Sequence, residues 1–289
     1  MRTVDIKELS CPVCSCTGEH YRKLKELTLW YCKHCTHRFT DVDSINSKEQ
    51  YSEEYYEQKH SNWFNHPNLS LFDYVYSQIK SLGHKDPSVL DVGCGNGDFL
   101  RYLQRKSNHL QLYGIDYHYN KPHKGIKFFC GDIFNTDFDE KFDVIVNLAV
   151  IEHVWDIKSY MQRLSQLCND DGLVITMTVN DNSLVYIASR MMYSIGLKTP
   201  MERLYEKHHL NHFSSSSLEY LHMHAGLDVT DRYLTQLPLK MVDMPDSNLL
   251  SALIYKIALM ILFSFERVFK QPILQTITTK KSESSKYLA

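Results

Sequence analysis

Apolar positions between residues 87 and 179 recur with two periods. Short continuous runs alternate with stretches where they return every three or four positions. SVLDV (88–92), QLYGID (111–116), IKFFCGD (126–132), FDVIVNL (142–148) and LVITMTV (173–179) read as strands. FDVIVNL is apolar almost throughout, as a central parallel strand covered on both faces should be. Phe99, Leu100 and Leu103, and later Ile157, Met161, Leu164 and Leu167, mark the buried stripes of two intervening helices. Asp171-Gly172 reads as the turn into the fifth strand. Serines open a helix over 214–225. LDVTDRY (227–233) then gives a sixth strand and ILQTITT (273–279) a seventh. This alternation predicts a parallel, doubly wound α/β sheet.

Upstream the pattern changes. Residues 41–62 are polar and tyrosine-rich, and Tyr51, Tyr55 and Tyr56 share one face of a helix. His66-Pro67 breaks that helix. Leu71, Phe72, Val75, Tyr76 and Ile79 mark a second one, ended by Gly83. Residues 46–84 therefore read as a helical bridge. Downstream, 249–265 (LLSALIYKIALMILFSF) is the most hydrophobic run. It falls short of the ~20 apolar residues that span a bilayer, and Lys256 interrupts it. A buried or homodimer-forming helix over 247–269 is the favoured expectation. A helix lying on a membrane is the sharper alternative, since Arg267 and Lys270 follow. The tail 282–289 is polar.

Composition narrows the class. The chain has 289 residues, 43% hydrophobic and 23% charged, and a formal net charge of −2. Those are values of a globular protein with no global basic field for nucleic acid. The opening residues MRTVDIKELS hold no apolar run, so no secretory signal is expected. Four of the 8 cysteines form two C-x-x-C pairs, Cys11/Cys14 and Cys32/Cys35. In a reducing compartment that spacing points to metal before disulfide, and a cytoplasmic location follows. Four thiolates satisfy tetrahedral Zn2+ with no open position, which makes a structural zinc ribbon of residues 1–45. Cys16 could displace Cys14, and that choice stays open.

The candidate chemistry centres on VLDVGCGNGDFL (89–100): a strand, a tight turn of Gly93, Cys94, Gly95, Asn96 and Gly97, then a helix start. Alternate glycines permit positive φ and close approach of a ligand to the main chain. The spacing is G-x-G-x-G, and Asp98 stands where a dinucleotide-binding loop has its third glycine. Asp91, Asp116, Asp132 and Asn147 fall at the carboxyl ends of predicted strands, where ligands of such sheets bind. Asp116 taken alone would serve the ribose of NAD equally well.

D-V-G-C-G-x-G strongly resembles the first motif of class I S-adenosylmethionine-dependent methyltransferases, and NLAVIEHVWD (147–156) resembles their segment after the fourth strand. The resemblance implies a Rossmann-like class I methyltransferase sandwich over 85–281, with a seven-stranded mixed sheet and its last two strands an antiparallel edge pair. It implies S-adenosyl-L-methionine as cofactor, bound by Asp91 and the 93–97 loop. Asp116 would take the ribose and Tyr117 lie beside the adenine. Asp132 and Ile133 would hold the adenine, and Asn147, Leu148 and Ala149 the methionine part. Glu152 and His153 would face the methyl group, with His153 suited to take a proton; capping of the next helix is the equally weighted alternative. Tyr55 and Tyr56 would close over the cofactor as a lid. HHLNHFSSSSL (208–218) resembles the substrate-covering insertion of one subgroup, set here at 181–213, with His209 or His212 bonding the acceptor.

The expected reaction is in-line methyl transfer to a small-molecule, sugar or glycan acceptor, the ribbon-bearing subgroup resembling enzymes of polysaccharide and natural-product biosynthesis. An RNA-modifying methyltransferase or RNA-binding protein using the ribbon is the alternative. The lack of an N-P-P-Y segment after the fourth strand weighs against it.

Overall fold

The structure is a computed structural model that describes residues 8–45, 67–118, 122–241 and 249–281. Tyr51, Tyr55 and Tyr56 and the tail from residue 282 lie outside them.

The main sheet has seven strands: β4 (Ser88–Val92), β5 (Gln111–Asp116), β6 (Ile126–Cys130), β7 (Phe142–Leu148), β8 (Cys168–Val179), β10 (Leu227–Thr235) and β11 (Leu274–Lys281). Their order is β10-β11-β8-β7-β4-β5-β6. The pairs β4–β5, β4–β7, β5–β6 and β7–β8 are parallel, while β11 runs antiparallel to both β8 and β10. This is the expected mixed sheet with its antiparallel edge pair. Because β4 lies between β5 and β7, the chain reverses direction across the sheet there, and the carboxyl ends of β4, β5 and β7 form the switch-point crevice. The central strands carry Val89, Leu90, Val144, Ile145 and Val146, each fully buried.

Flanking helices follow the predicted stripes. α1 (Leu69–Ser81) buries Leu71, Phe72, Val75 and Ile79, and the Asn68 side chain caps it by accepting from the Leu71 N–H. α2 (Asp98–Lys106) buries Phe99, Leu100 and Leu103. α3 (Ile157–Leu167) is capped by Asp156 and buries Ile157, Met161, Leu164 and Leu167. The 181–213 stretch folds as α4 (Leu184–Ser194), α5 (Thr199–Leu204) and the two-residue strand β9 (Asn211–His212). α6 (Ser215–His224) opens on the Ser214 cap.

Three features depart from the sequence reading. First, β8 begins at Cys168, and Asp171-Gly172 is not a turn but an irregularity within it. Phe142 pairs with Cys168 while Val144 pairs with Leu173, and Asp171 takes φ +63°. A Cβ on Gly172 would meet the Asp143 carbonyl oxygen at 2.8 Å, so glycine is needed for the strands to stay in contact.

Second, the cysteine-bearing residues, read as a ribbon of their own, share a buried cluster with the main domain. β1 (Glu19–Lys23), β2 (Thr28–Tyr31) and β3 (Arg38–Asp41) form a meander, and β3 pairs antiparallel with β9 of the main domain. Cys11, Trp30, Cys32, Cys35 and Phe39 belong to one buried cluster with Phe213, Leu218 and Leu221.

Third, α7 (Leu249–Phe269) is only half covered over its described side chains, from residue 256 on. Leu259, Phe263 and Glu266 face inward, but Ile257, Met260, Ile261, Phe265, Val268 and Phe269 are exposed. Cover by its own domain, one of the expected outcomes, is absent from this face among the described residues. Among those residues no helix is long and apolar enough to cross a membrane.

Candidate functional site

The glycine loop follows β4 directly. Gly93, Gly95 and Gly97 adopt φ +72°, +50° and +78°, and Gly97 is the residue before the first turn of α2. A Cβ on Gly93 would meet Val150 Cγ2 at 2.4 Å, and one on Gly97 would meet the Phe128 ring at 2.7 Å. Bare backbone lets this loop lie against both the β7 loop and β6. The N–H groups of Gly93 and Cys94 donate to the Ile115 carbonyl at 2.8 and 3.2 Å, and Gly95 N–H donates to Asp116 Oδ2 at 2.8 Å. Asp116 Oδ1 accepts from the His118 N–H at 3.1 Å. The loop and the end of β5 are thus one rigid unit, with Asp116 at its centre.

Asp91 is 3% exposed, and its carboxyl has no hydrogen bond among the described residues. Burial, and then the nearby Asp116 carboxylate, push it well above the usual carboxylate range. A buried acid without a partner at a strand end is costly unless a ligand supplies one. Asp132, at the end of β6, accepts from the Phe134 N–H at 3.0 Å, so one of its oxygens holds a turn. Ile133 is buried beside it, and Tyr117 stands at the rim, 71% exposed.

Asn147 stands near the end of β7. It is fully buried, and its amide N–H groups donate to Thr176 Oγ1 (2.9 Å) and to the Ile175 carbonyl (3.3 Å) on β8. Only its Oδ1 is left without a partner. Leu148 is half-buried. Ala149 takes φ +57°, a strained value for a residue with a Cβ, and turns the chain from β7 over the glycine loop.

The single helical turn Ile151–His153 comes next. Glu152 is 2% exposed; Thr178 Oγ1 donates to its Oε2 at 2.9 Å, and burial pushes the carboxyl up to about 7. His153 Nδ1 lies 2.9 Å from the His208 carbonyl. A carbonyl only accepts, so Nδ1 carries the proton and the neutral ring keeps its lone pair on Nε2. Burial holds His153 below the ordinary imidazole value, favouring that neutral form. His209 meets His153 edge to face, with ring centres 4.8 Å apart. Glu152, His153 and His209 each place a ligand atom within 4.8 Å of the others. His212, by contrast, is fully buried, with Nε2 3.3 Å from Thr40 Oγ1 and its ring against Tyr205. It has no surface to offer an acceptor.

The wall carrying His208 and His209 is held from the cysteine-bearing side. Thr40 N–H donates to the Leu210 carbonyl (2.9 Å), and Thr40 Oγ1 to the His209 carbonyl (3.0 Å). From the other side, Leu210 N–H donates to the Glu152 carbonyl (2.8 Å) and Asn211 Nδ2 to the Val154 carbonyl (2.7 Å). Behind it lies a buried ionic knot that sequence reasoning missed. Arg38 of β3 and Arg190 of α4 both bond the fully buried Asp181, and Tyr205 Oη donates to Asp181 Oδ1 at 2.5 Å. Arg38 also lies over the Tyr21 and Tyr31 rings, at 4.9 and 4.6 Å. Asp181, just past the end of the fifth strand, was the one visible signal; Arg38 is 143 residues away.

The four cysteines converge as expected. Cys11 and Cys35 Sγ are 3.5 Å apart and Cys14 and Cys32 Sγ 3.4 Å, all four within 4.8 Å of one another. Zn–S bonds of about 2.3 Å give a tetrahedron with edges of roughly 3.8 Å, close to this arrangement. The two C-x-x-C turns match: Ser15 and Thr36, each following the second cysteine, take φ +62° and +61°. Cys16 reaches a neighbouring set with Cys14 and His34.

Comparison with known proteins bears on the domain that follows the cysteine-bearing residues. A family described as "Methyltransferase domain" matches residues 60–232. A ubiquinone biosynthesis O-methyltransferase of Bradyrhizobium diazoefficiens is 31% identical over 104 residues, which is 32% of this chain and 40% of that protein. A malonyl-(acyl-carrier protein) O-methyltransferase of Calditerrivibrio nitroreducens is 31% identical over 106 residues, 36% of this chain and 43% of that one. The match thus spans well under half the length of these relatives. Among solved structures, a candidate sarcosine dimethylglycine methyltransferase from Galdieria sulphuraria superimposes with TM-score 0.50 at 14% identity, over 74% of this chain and 86% of that one. That likeness is one of fold. With the family match covering more than half of the chain, this protein belongs to the methyltransferase-domain family.

Proposed function

We propose that the chain transfers a methyl group from S-adenosyl-L-methionine to a hydroxyl-bearing small molecule held against the Glu152–His153–His209 wall. The observation that carries this reading is the junction of two half-sites: Gly93 of the cofactor loop touches Val150, one residue before the turn that carries Glu152 and His153. The residues present fit the cofactor. The loop leaves its backbone bare at three positive-φ glycines, Asp116 offers a carboxylate at the ribose position, Asn147 Oδ1 is buried without a partner, and Asp91 is buried at the end of β4. When bound, the cofactor supplies a methyl carbon activated by a sulfonium.

The chain's own part is to orient and to move one proton. His153 Nε2 takes the acceptor's hydroxyl proton as the oxygen closes on the methyl carbon, and the His208 carbonyl fixes the tautomer that makes this work. The buried surroundings exclude water and favour a step in which charge disappears. The names of the two curated relatives, both O-methyltransferases, support an oxygen acceptor. A sugar or glycan hydroxyl is the narrower form of this reading. The four-cysteine cluster holds Zn2+ as a structural ion, since four thiolates leave no open position.

A transfer assay with a panel of hydroxylated acceptors tests His153. Because burial lowers its pKa, the neutral base persists below the ordinary value of ~6.5, and the acid limb of kcat should lie beneath that pH. His153→Gln should lower kcat by about 10²–10⁴-fold and erase the limb. An unchanged kcat with an unchanged pH profile would remove His153 from the reaction.

A further inference from the structure

The outward face of α7 has no role in methyl transfer, and its chemistry is one-sided. Ile257, Ile261, Phe265 and Val268 recur at helical spacing, flanked by Met260 and Phe269, all between 41% and 73% exposed. Lys256 and Arg267, three turns apart, share one margin of this stripe, and Lys270 follows the helix end. Between residues 256 and 270 the acidic residue is Glu266, fully buried on the opposite face. The exposed surface of this stretch is therefore apolar and cationic.

Next to it a cavity of about 910 Å³ opens between the start of α1, the end of β10 and α7. Arg232, Arg267 and Lys270 line it, Arg232 already paired with Glu219 and Arg267 bonded to Gln236. Its walls also hold two buried polar groups without hydrogen-bond partners among the described residues, Asn68 Nδ2 and both carboxyl oxygens of Glu266. The Glu266 carboxyl lies near the Gln236 amide and the Ile273 and Val185 N–H groups without a well-formed bond to any of them.

We propose that this face of α7, with the cationic cavity beside it, docks on an anionic phospholipid bilayer, the stripe entering the acyl boundary and the cavity taking a headgroup. Charge decides between occupants. A second copy meeting the first through this stripe would bring two sets of Lys256, Arg267 and Lys270 together with no exposed acid between 256 and 270 to pair them. An anionic lipid surface supplies the missing negative charge, and its phosphate and glycerol oxygens can accept from the Asn68 amide. The docking is independent of the methyl-transfer reading, because it needs neither cofactor nor turnover.

Flotation of the full chain with vesicles of phosphatidylcholine alone, and of phosphatidylcholine with phosphatidylglycerol, tests it. The chain should float with the anionic vesicles and remain in solution with the neutral ones, and added salt should release it. Val268→Asp should abolish flotation. Lys256→Gln and Lys270→Gln should each weaken it by roughly fivefold. S-adenosylhomocysteine binding measured on each variant reports that the fold is intact. A chain that stays in solution with both vesicles, or a Val268→Asp variant that floats as well as the parent, overturns the proposal. So does a dimer in light scattering that Val268→Asp turns into a monomer.

Discussion

Gly95→Val should lose S-adenosylmethionine binding altogether. Gly95 takes φ +50°, where a β-branched residue is strained by about 1–3 kcal/mol. Its N–H also anchors Asp116 at 2.8 Å, so a valine that shifts the loop moves the carboxylate proposed for the ribose with it. Steric block of the bare backbone adds to both. The combined loss should exceed roughly a hundredfold in affinity. Gly95 lies in the loop after β4, outside the sheet itself, so thermal unfolding should change less than binding. Titration calorimetry beside a melting curve separates the two. Wild-type affinity in Gly95→Val would remove the loop from the cofactor site.

The second large effect should appear where the sequence did not place it. Cys32→Ser, or removal of the zinc proposed for the cluster, should cripple methyl transfer while leaving cofactor binding at the glycine loop working. Cys32 is fully buried within the four-cysteine cluster. Metal binding to such a cluster is itself folding free energy, on the order of 10 kcal/mol for small zinc modules. Without it the meander β1–β3 should come apart. Thr40 then no longer holds the His209 and Leu210 carbonyls, and Arg38 no longer reaches Asp181. A shift of about 1 Å in a catalytic wall costs on the order of a hundredfold in rate. The glycine loop and Asp116 hang on β4 and β5 and should be spared. The expected result is a transfer rate down by about a hundredfold, S-adenosylhomocysteine affinity little changed, and one equivalent of zinc gone. A metal-free chain with full activity would contradict the coupling.

What was legible in the sequence was what short-range pattern controls. Continuous apolar runs marked β4, β5, β7 and β8 because strands covered on both faces admit little else. Gly93, Gly95 and Gly97 marked the loop because positive φ at alternate positions leaves few other choices. The C-x-x-C pairs marked themselves. The failures were matters of long-range geometry. Asp171-Gly172 carries turn chemistry, but pairing with β7 extends β8 through it as a bulge. β9 is two residues long and has no periodicity to read, yet it joins the meander to the main domain. Arg38 and Asp181 find each other across 143 residues of chain. His209 and His212 look alike in sequence; only the pairing of β9 with β3 turns His212 inward.

The most direct measurement is calorimetric titration of the full chain and of Asp116→Ala with S-adenosylhomocysteine. Asp116 joins the loop to the end of β5, and no other described carboxylate bonds a glycine-loop N–H. Wild-type chain should bind one equivalent. Asp116→Ala should bind more weakly by about 1–3 kcal/mol, the worth of hydrogen bonds to a charged group. Equal affinity in the two proteins, or no binding by the wild-type chain, would contradict a methyl-donor site built on β4, the glycine loop and Asp116.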